Sequence, residues 1–307
     1  MVRVASGAPP GLGSGLGAGG VRNLLSSAVS LLRPFLDGGV AALLPGECRL
    51  CGGVLVHASA VPVCAACRIV EPQDGALCRV CGEDLGMESA RFAEGFGPAE
   101  GLVCTPCRMA PPAFERAVAH AVYDGGLREM IHLLKYEAVK PLGRVLGPML
   151  AESMLELRGR AAPELVVTAV PLFGAKEHQR GYNQAEVLTR AALQEVGRRA
   201  PEWRLRYDRG VLMRPRETRS QFELSARGRR RNLIGAFAVR AGGLGGAPCE
   251  VMLVDDIYTS GATARECARV LRRGGAAKVW VVTLARAQRP RVAMWDAVSI
   301  RQPVGFG

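Results

Sequence analysis

Eight of the ten cysteines in this 307-residue chain stand in four C-x2-C pairs: Cys48/Cys51, Cys64/Cys67, Cys78/Cys81 and Cys104/Cys107. Two thiolates separated by two residues can bind one metal ion from a tight turn, and two such turns complete a tetrahedral site. The pairs therefore predict two four-cysteine sites with Zn²⁺ as the metal. The simplest arrangement joins the first pair with the second and the third with the fourth, and crossed pairing stays open at this stage.

Other roles for these cysteines fit the sequence less well. Disulfide frameworks belong to exported domains, and we find no apolar segment of the kind that directs export. A redox C-x-x-C would not be expected in four copies. Gly52, Gly53 and Gly82 follow two of the pairs, where glycine lets backbone N–H groups point at sulfur. The two isolated cysteines, Cys249 and Cys267, are interpreted as ordinary core or surface thiols.

Segments of different composition surround the cysteine-rich region. Residues 1–20 are rich in Gly, Ala, Pro and Ser and are expected to be a disordered leader. Residues 21–45 have helix-like apolar spacing and predict a short amphipathic helical segment. We place a double zinc-ribbon module at 46–110, a second domain at 113–287 and a tail at 288–307. No apolar run approaches the roughly 20 residues that a membrane-spanning helix needs, so no membrane span is expected.

Strand-like and helix-like patterns alternate in the second domain. Strands are predicted at 116–123, 165–170, 250–254 and 279–284, and helices at 127–136, 142–157, 183–196 and 262–272. Such alternation implies parallel strand pairing, because a helix must carry the chain back to the same end of the sheet. The expected fold class is therefore α/β, a parallel sheet with helices on both faces.

The segment 251–263 carries the clearest chemistry: Val-Met-Leu-Val-Asp-Asp-Ile-Tyr-Thr-Ser-Gly-Ala-Thr. Four apolar residues form a buried strand, Asp255 and Asp256 follow at its tip, and a hydroxyl-rich loop leads into a helix. Such a loop presents backbone N–H groups and the positive end of the helix dipole to an anion. Two adjacent carboxylates suit vicinal hydroxyls, which donate hydrogen bonds to them. The segment predicts a phosphorylated-sugar site at the carboxyl edge of the sheet.

This segment resembles the phosphoribosyl-pyrophosphate (PRPP) motif of the type I phosphoribosyltransferases. The resemblance implies a type I phosphoribosyltransferase-like sheet in which Asp255 and Asp256 are catalytic and bind the ribose 2′ and 3′ hydroxyls. It also implies that Mg²⁺ binds together with PRPP. The 5′-phosphate would be held by the loop that follows, formed by Thr259, Ser260, Gly261, Ala262 and Thr263.

Further motifs precede this one in a recognisable order. They are the cysteine module, Leu-Leu-Lys-Tyr at 133–136, Val-Pro-Leu at 170–172, Arg-Gly-Tyr-Asn-Gln at 180–184, Arg-Ser-Gln-Phe at 219–222 and Arg-Asn-Leu at 231–233. The order resembles that of the ComF family, phosphoribosyltransferase-like proteins linked to natural competence and uptake of transforming DNA. The resemblance covers roughly residues 40–287.

The family resemblance implies roles for two arginine-bearing segments. Residues 170–172 would form the pyrophosphate-binding loop, with Arg180 beside it as a candidate diphosphate ligand. Residues 218–232 would form a mobile segment that closes over the diphosphate, with Arg219 and 227–231 as candidates. Arginine suits this task because its planar fork meets phosphate oxygens bidentately. A solvated surface cation is the alternative for each.

Positive charge is concentrated around the second of these segments. The formal net charge is +12, and residues 198–240 hold 13 arginines against four acidic residues, a local net of +9. Such an excess suits a polyanionic partner, either nucleic acid or a phosphorylated small molecule. Because the block lies between the diphosphate loop and the PRPP motif, it is not independent evidence for DNA.

Two functions of different class follow. In the favoured one, a ComF-like protein binds PRPP with Mg²⁺ and acts in uptake or processing of single-stranded DNA, with the DNA and other DNA-uptake proteins as partners. In the alternative, a phosphoribosyltransferase of nucleotide metabolism transfers the ribosyl group to an unidentified nitrogen acceptor, and the zinc module is purely structural. We expect a cytoplasmic protein, with recruitment to the inner face of the membrane as a variant of that location.

Overall fold

The computed structural model describes residues 46–55, 60–86, 101–217, 228, 232–245 and 249–288. Contacts within the chain divide it into two units, Met1–Cys64 and Ala65–Gly307. The predicted leader, the predicted helical segment at 21–45 and nearly all of the predicted tail lie outside the described residues. The domain limits drawn from the sequence stay a prediction.

The described part of the first unit is built around one cysteine turn. Strands β1 (Gly46–Glu47) and β2 (Val54–Leu55) pair antiparallel. Between them, the N–H of Cys48 donates to the carbonyl of Gly53 at 2.7 Å, and the N–H of Gly52 donates back to Cys48 at 2.8 Å. Gly52 has φ +72°, a left-handed conformation that glycine adopts without a Cβ penalty.

The second unit contains a five-stranded parallel sheet, formed by β3 (Arg116–Val122), β4 (Glu164–Ala169), β5 (Arg204–Tyr207), β8 (Cys249–Tyr258) and β9 (Ala276–Arg286). The strands lie in the order β3-β9-β8-β4-β5. A separate antiparallel pair is formed by β6 (Leu212–Met213) and β7 (Ala238–Val239). The helices are α1 (Thr105–Met109), α2 (Gly125–Tyr136), α3 (Gly143–Leu155), α4 (Gly174–Arg180), α5 (Gln184–Arg199) and α6 (Ala262–Arg273).

The central strands are apolar because both of their faces are covered. Residues 251–254 of β8 and 281–282 of β9 are fully buried, as expected for strands that lie between two helix layers. On one side of the sheet α3 packs closely against α5. A Cβ at Gly147 would lie 2.4 Å from the Cβ of Ala191, so the spacing of these helices depends on glycine. The α/β fold class and its parallel sheet are thereby confirmed.

The structure adds elements that the sequence pattern did not predict. No helix or strand was predicted between 170 and 183, but residues 174–180 form α4, which buries none of its side chains and so lacks an apolar stripe. Strand β5 lies at the sheet edge and is only half-buried. Strand β8 continues four residues past the predicted end at 254, because β9 pairs with it as far as Tyr258. Among the described residues, no helix is long and apolar enough to cross a bilayer.

Candidate functional site

Cysteine sulfur atoms meet in two groups of four. The first group is Cys48, Cys51, Cys64 and Cys67, the second is Cys78, Cys81, Cys104 and Cys107, and within each group the sulfur atoms lie within 4.8 Å of one another. The arrangement that joins neighbouring pairs along the chain is confirmed, and crossed pairing is excluded. All ten cysteines are free thiols, so the disulfide alternative does not hold.

The spacing of the sulfur atoms fits a tetrahedral zinc ion. A ZnS₄ tetrahedron with bonds of about 2.3 Å has sulfur–sulfur edges of about 3.8 Å. The sulfur atoms of Cys51 and Cys64 are 3.8 Å apart, and those of Cys81 and Cys104 are 3.6 Å apart. Both four-cysteine groups could therefore hold zinc ions with little rearrangement.

Hydrogen-bond donors favour the thiolate form of one cysteine in each group, whereas the pKa values of Cys81 and Cys107 are raised. The N–H of Cys64 donates to the sulfur of Cys48, and the N–H of Cys104 donates to the sulfur of Cys78, both at 3.3 Å. Burial raises the pKa of Cys48, but backbone donors outweigh it and lower that pKa to about 6. The pKa of Cys78 is lowered to about 4, chiefly by the hydrogen bond from the Cys81 thiol. Thiolates are the form that binds a metal.

The two groups differ in burial. The sulfur-bearing residues of the second group are all 2–6% exposed and belong to the same apolar cluster as Phe114 and Tyr258. In the first group Cys51 is exposed and Cys64 and Cys67 are half-buried. The second group is therefore part of the main core, whereas in the first group only Cys48 is buried and the other three cysteines are nearer to solvent.

Strand β8 carries the predicted acidic pair to the carboxyl edge of the sheet. β4 pairs with β8 only as far as Val254, after which the N–H of Val170 donates to the Val254 carbonyl at 2.8 Å. On the other side β9 pairs with β8 to its last residue. Past Val254, therefore, one side of β8 faces the loop after β4 without a paired strand among the described residues. Crevices of this kind bind ligands in open α/β sheets.

Asp255 faces the helix that follows the motif. It lines a small cavity together with Val170, Thr259, Gly261 and Thr263. Burial and the neighbouring Asp256 carboxylate raise the pKa of Asp255 to about 7. This carboxyl is thus held where ionisation is costly unless a ligand stabilises its charge.

Asp256 points to the other face of the sheet, because successive strand residues alternate. Its carboxylate lies 2.9 Å from the Lys135 ammonium on α2, and the two side chains are only 6% and 15% exposed. Burial lowers the pKa of Lys135, but the carboxylate outweighs burial and raises it. In the sequence, Lys135 stands out only as part of Leu-Leu-Lys-Tyr, and its contact with Asp256 was not predicted. A lysine within an apolar helical run was the available signal.

The loop after β8 has the shape of an anion cradle. Gly261 precedes α6 with φ +72°, and a Cβ on it would lie 2.2 Å from the Tyr258 hydroxyl oxygen. Glycine is therefore required there both by conformation and by space. Thr259 is exposed, whereas the Ser260 hydroxyl oxygen is buried and has no hydrogen-bond partner within the described residues. The first N–H groups of α6 add donors that the helix itself cannot satisfy.

Residues 180–184 lie beside the loop after β4. The Asn183 side chain donates to the Val170 carbonyl at 2.9 Å and accepts from the Ala185 N–H at 3.0 Å, so it joins that loop to the start of α5. Arg180 donates to the Gln184 side chain, and its guanidinium lies 5.6 Å from the centre of the Tyr136 ring. The predicted diphosphate role of Arg180 stays a prediction.

Arg219 and the arginines at 227–231 lie outside the described residues. The two ends of their segment are nevertheless close together. Arg216 donates to the carbonyls of Asn232 at 3.0 Å and Ile234 at 2.7 Å. The described residues that flank 218–231 are thus hydrogen-bonded to each other, and the N–H of Gly235 donates to Glu266 of α6 at 3.0 Å.

The raised pKa of Asp255 predicts a measurable cost to folding. The folded state binds more protons than the unfolded state between pH 4 and pH 7, so stability falls as the pH rises through that window. We expect Asp255→Asn to be more stable than the parent at pH 8, with an advantage at least about 1.4 kcal/mol larger than at pH 5.5. Urea unfolding at both pH values measures this. The exposed Glu164→Gln is the control, and an equal advantage at both pH values would contradict the prediction.

Comparison with known proteins agrees with this architecture, although no family model matches the chain. The DNA utilization protein YhgH of Salmonella typhi is 31% identical over 246 residues, 79% of this chain and 98% of that protein. Competence protein F of Haemophilus influenzae is 27% identical over 78% of this chain and 97% of its own length. Competence protein ComFC of Streptococcus pneumoniae is 23% identical over 78% of this chain and its whole length. Together with the two four-cysteine groups and the parallel sheet, these relatives show that the chain belongs to the ComF family.

Proposed function

We propose that this protein binds PRPP with Mg²⁺ at the carboxyl end of β8 and acts in the uptake or use of single-stranded DNA. The PRPP part of the proposal rests on three structural features that lie together at the carboxyl end of β8. Asp255 faces a cavity whose other wall is the glycine-bearing loop before α6, next to the unpaired side of β8. A carboxylate that can accept hydrogen bonds from sugar hydroxyls, next to a loop that can bind a phosphate and beside an open strand side, suits a phosphorylated sugar.

Each part of PRPP finds a chemically matching group in this proposal. The 5′-phosphate would accept hydrogen bonds from Thr259, Thr263 and the backbone of the loop, while the ribose hydroxyls would donate to Asp255. The diphosphate would lie toward residues 170–172, with Arg180 and Arg219 as its candidate ligands. Asp255 offers the carboxylate oxygens that Mg²⁺ prefers, and the ion would offset the charge of the diphosphate.

Turnover of PRPP would be a displacement of pyrophosphate from the ribose C1 by a nitrogen nucleophile. Positive charge then develops on the ribosyl ring while negative charge grows on the departing diphosphate. The chain's contribution would be positioning by the loop and stabilisation of the leaving group by arginines. Because burial and Asp256 raise the pKa of Asp255, its ionised form is unfavourable in the free protein, and hydrogen bonds from ribose hydroxyls or a bound Mg²⁺ would stabilise it.

The DNA part of the proposal rests on the relatives and on charge. One relative is named for DNA utilization and two for competence. Residues 198–240 carry a local net charge of +9, which suits a phosphate backbone as well as a diphosphate. A phosphoribosyltransferase of nucleotide metabolism is the alternative, in which this charge serves the diphosphate alone.

Calorimetry with PRPP and Mg²⁺, with and without a single-stranded oligonucleotide, tests both parts together. We expect PRPP to bind the parent and to lose at least about tenfold in affinity in Asp255→Asn, because one charged hydrogen-bond acceptor is worth about 1.5–3 kcal/mol. The matched control is Glu164→Gln, the same charge change at the opposite edge of the sheet. We expect oligonucleotide binding to weaken steeply with salt and to be lost when the arginines at 227–231 are neutralised.

The outcomes separate the two parts. Absence of PRPP binding by the parent would refute the PRPP site. PRPP binding without any oligonucleotide binding would refute direct DNA contact and favour the nucleotide-metabolism alternative. Release of pyrophosphate in the presence of a panel of nucleobases and amines would then identify the acceptor.

A further inference from the structure

Two arginines connect the second four-cysteine group with the loop after β8. Arg286, the last residue of β9, is 1% exposed and has a guanidinium nitrogen 3.6 Å from the sulfur of Cys81. It also donates to the Cys81 carbonyl and to Glu83. Arg265, in the first turn of α6, has a guanidinium nitrogen 3.5 Å from the sulfur of Cys107.

These contacts have an electrostatic reason. Four thiolates around one Zn²⁺ leave a net charge of −2 in the second group, whose cysteines are all buried. Buried charge is tolerated only when it is paired. Arg265 and Arg286 approach the group through two different cysteines and supply opposite charge. Both arginines thus contact sulfur atoms of the group, and their charges would offset that of a zinc–thiolate centre.

Arg286 also contacts Tyr258, the last residue of β8 before the loop that leads into α6. Its guanidinium carbon lies 4.4 Å from the centre of the Tyr258 ring, a stacked cation–π arrangement. The Tyr258 hydroxyl occupies the space beside Gly261 in which a Cβ would lie, and the N–H of Ala287 donates to the Tyr258 carbonyl at 2.9 Å. Tyr258 is thus held between Arg286 and the loop that it underlies.

Arg265 reaches the same loop through its backbone. Its N–H donates to the Gly261 carbonyl at 2.9 Å, while its side chain donates to the Ala110 carbonyl at 2.5 Å beside the cysteine group. Gly261 is therefore contacted by the Tyr258 side chain and by the backbone N–H of Arg265, in the first hydrogen bond of α6. Tyr258 is connected with the second four-cysteine group through Arg286, which contacts Cys81. Arg265 contacts Cys107 of that group directly.

We propose that metal binding to the second four-cysteine group fixes the conformation of the loop after β8 (residues 259–261), and we call this device the clamp. Arg265 and Arg286 are the positioning residues that connect the metal site with that loop. With the metal bound, the two arginines hold Tyr258 and Gly261 in the conformation that accepts a 5′-phosphate. Without it, the four cysteines are no longer held together by a common ion, and the contacts of Arg265 and Arg286 with them loosen. The inference rests on the proposed function, because it assigns a control device to the same site.

The coupling is reciprocal by thermodynamic necessity. If the metal tightens phosphate binding by some factor, the phosphate ligand tightens metal binding by the same factor. Couplings between sites typically amount to about 5- to 150-fold. A ligand of the loop should therefore slow loss of zinc from the second group, an effect that can be measured without any turnover.

The test is zinc release from the full-length, zinc-loaded chain to an excess of a chromogenic chelator. Ribose 5-phosphate serves as the probe because it carries the 5′-phosphate and needs no Mg²⁺. The variant Cys51→Ser, which removes the first group, identifies the release phase of the second. We expect ribose 5-phosphate to slow that phase at least about fivefold and to leave the phase of the first group unchanged.

Two variants of α6 distinguish a specific role of Arg265 from the effect of removing any positive charge from this helix. Arg265→Gln and Arg273→Gln remove the same charge from α6, but Arg273 is exposed at the far end of the helix. We expect both variants to retain two zinc ions. Protection of the second zinc by ribose 5-phosphate should be lost in Arg265→Gln and kept in Arg273→Gln.

Failure of the clamp and failure of the proposed function give different results. If neither PRPP nor ribose 5-phosphate binds the parent in calorimetry, the proposed function is wrong. If the ligands bind but zinc release from the second group is unchanged, the clamp is wrong while the site stands. Equal protection in Arg265→Gln and Arg273→Gln would also overturn the role of Arg265.

Discussion

Replacement of Cys81 by serine is expected to abolish cooperative folding of the second unit or to lower its melting temperature by more than about 10 °C. Cys81 is 3% exposed and lies in the main apolar cluster. A structural zinc site contributes about 10–16 kcal/mol of binding free energy in small domains, which is comparable to the total stability of a protein. In a unit of this size a loss of about 5 kcal/mol already lowers the melting temperature by about 10–20 °C. Thermal unfolding followed by circular dichroism measures the effect.

Cys51→Ser is the matched control for this experiment. Cys51 belongs to the first group but is exposed, and its neighbours Cys64 and Cys67 are half-buried. We expect this variant to lose one of its two zinc ions and to shift the main transition by less than about 4 °C, the effect of about 1 kcal/mol. Equal destabilisation by the two serine variants would contradict the difference in burial between the groups.

Replacement of Lys135 by methionine is expected to destabilise the protein by about 3–5 kcal/mol, because it leaves the Asp256 carboxylate buried without its cation. The ammonium and carboxylate are 2.9 Å apart and almost excluded from solvent. Methionine keeps the length and apolar stem of lysine, so lost packing does not account for the change. Denaturant unfolding gives the free energy directly.

Two further variants identify the cause. Lys278→Met removes an ammonium 3.0 Å from Glu250, but Lys278 is 47% exposed, so we expect a cost of at most about 1 kcal/mol. The double variant Lys135→Met/Asp256→Asn should recover much of the stability lost in Lys135→Met. Additive losses in the double variant would show that packing, not unpaired charge, is responsible.

The metal groups and the β8 segment could be predicted because their information is local. A C-x2-C turn fixes two ligands within four residues, and the glycines that follow at Gly52 and Gly82 have the left-handed conformation that the turns need. Strand, acidic pair, loop and helix likewise follow one another within 13 residues. Hydrophobic periodicity located most of the sheet for the same reason.

Other features could not be predicted from local patterns, and a lysine within an apolar helical run does not by itself identify its partner. Lys135 and Asp256 are brought together only because α2 packs on the face of the sheet to which Asp256 points. Helix α4 was missed because it buries none of its side chains, so its sequence has no apolar stripe to detect. The cysteine spacing also could not tell which group would be buried, because both groups have the same C-x2-C pairs.

The order of residues along the chain is enough to locate the two cysteine groups and the acidic segment before α6, since residues a few positions apart are held in fixed relation by the backbone. What surrounds these segments depends on how distant elements pack together. Arg286 meets Cys81 across 205 residues of chain, and Arg265 meets Cys107 across 158. Such contacts depend on how the elements pack against one another, and no spacing along the chain encodes them. Packing is therefore what connects the second four-cysteine group, through Arg265 and Arg286, with the loop after β8.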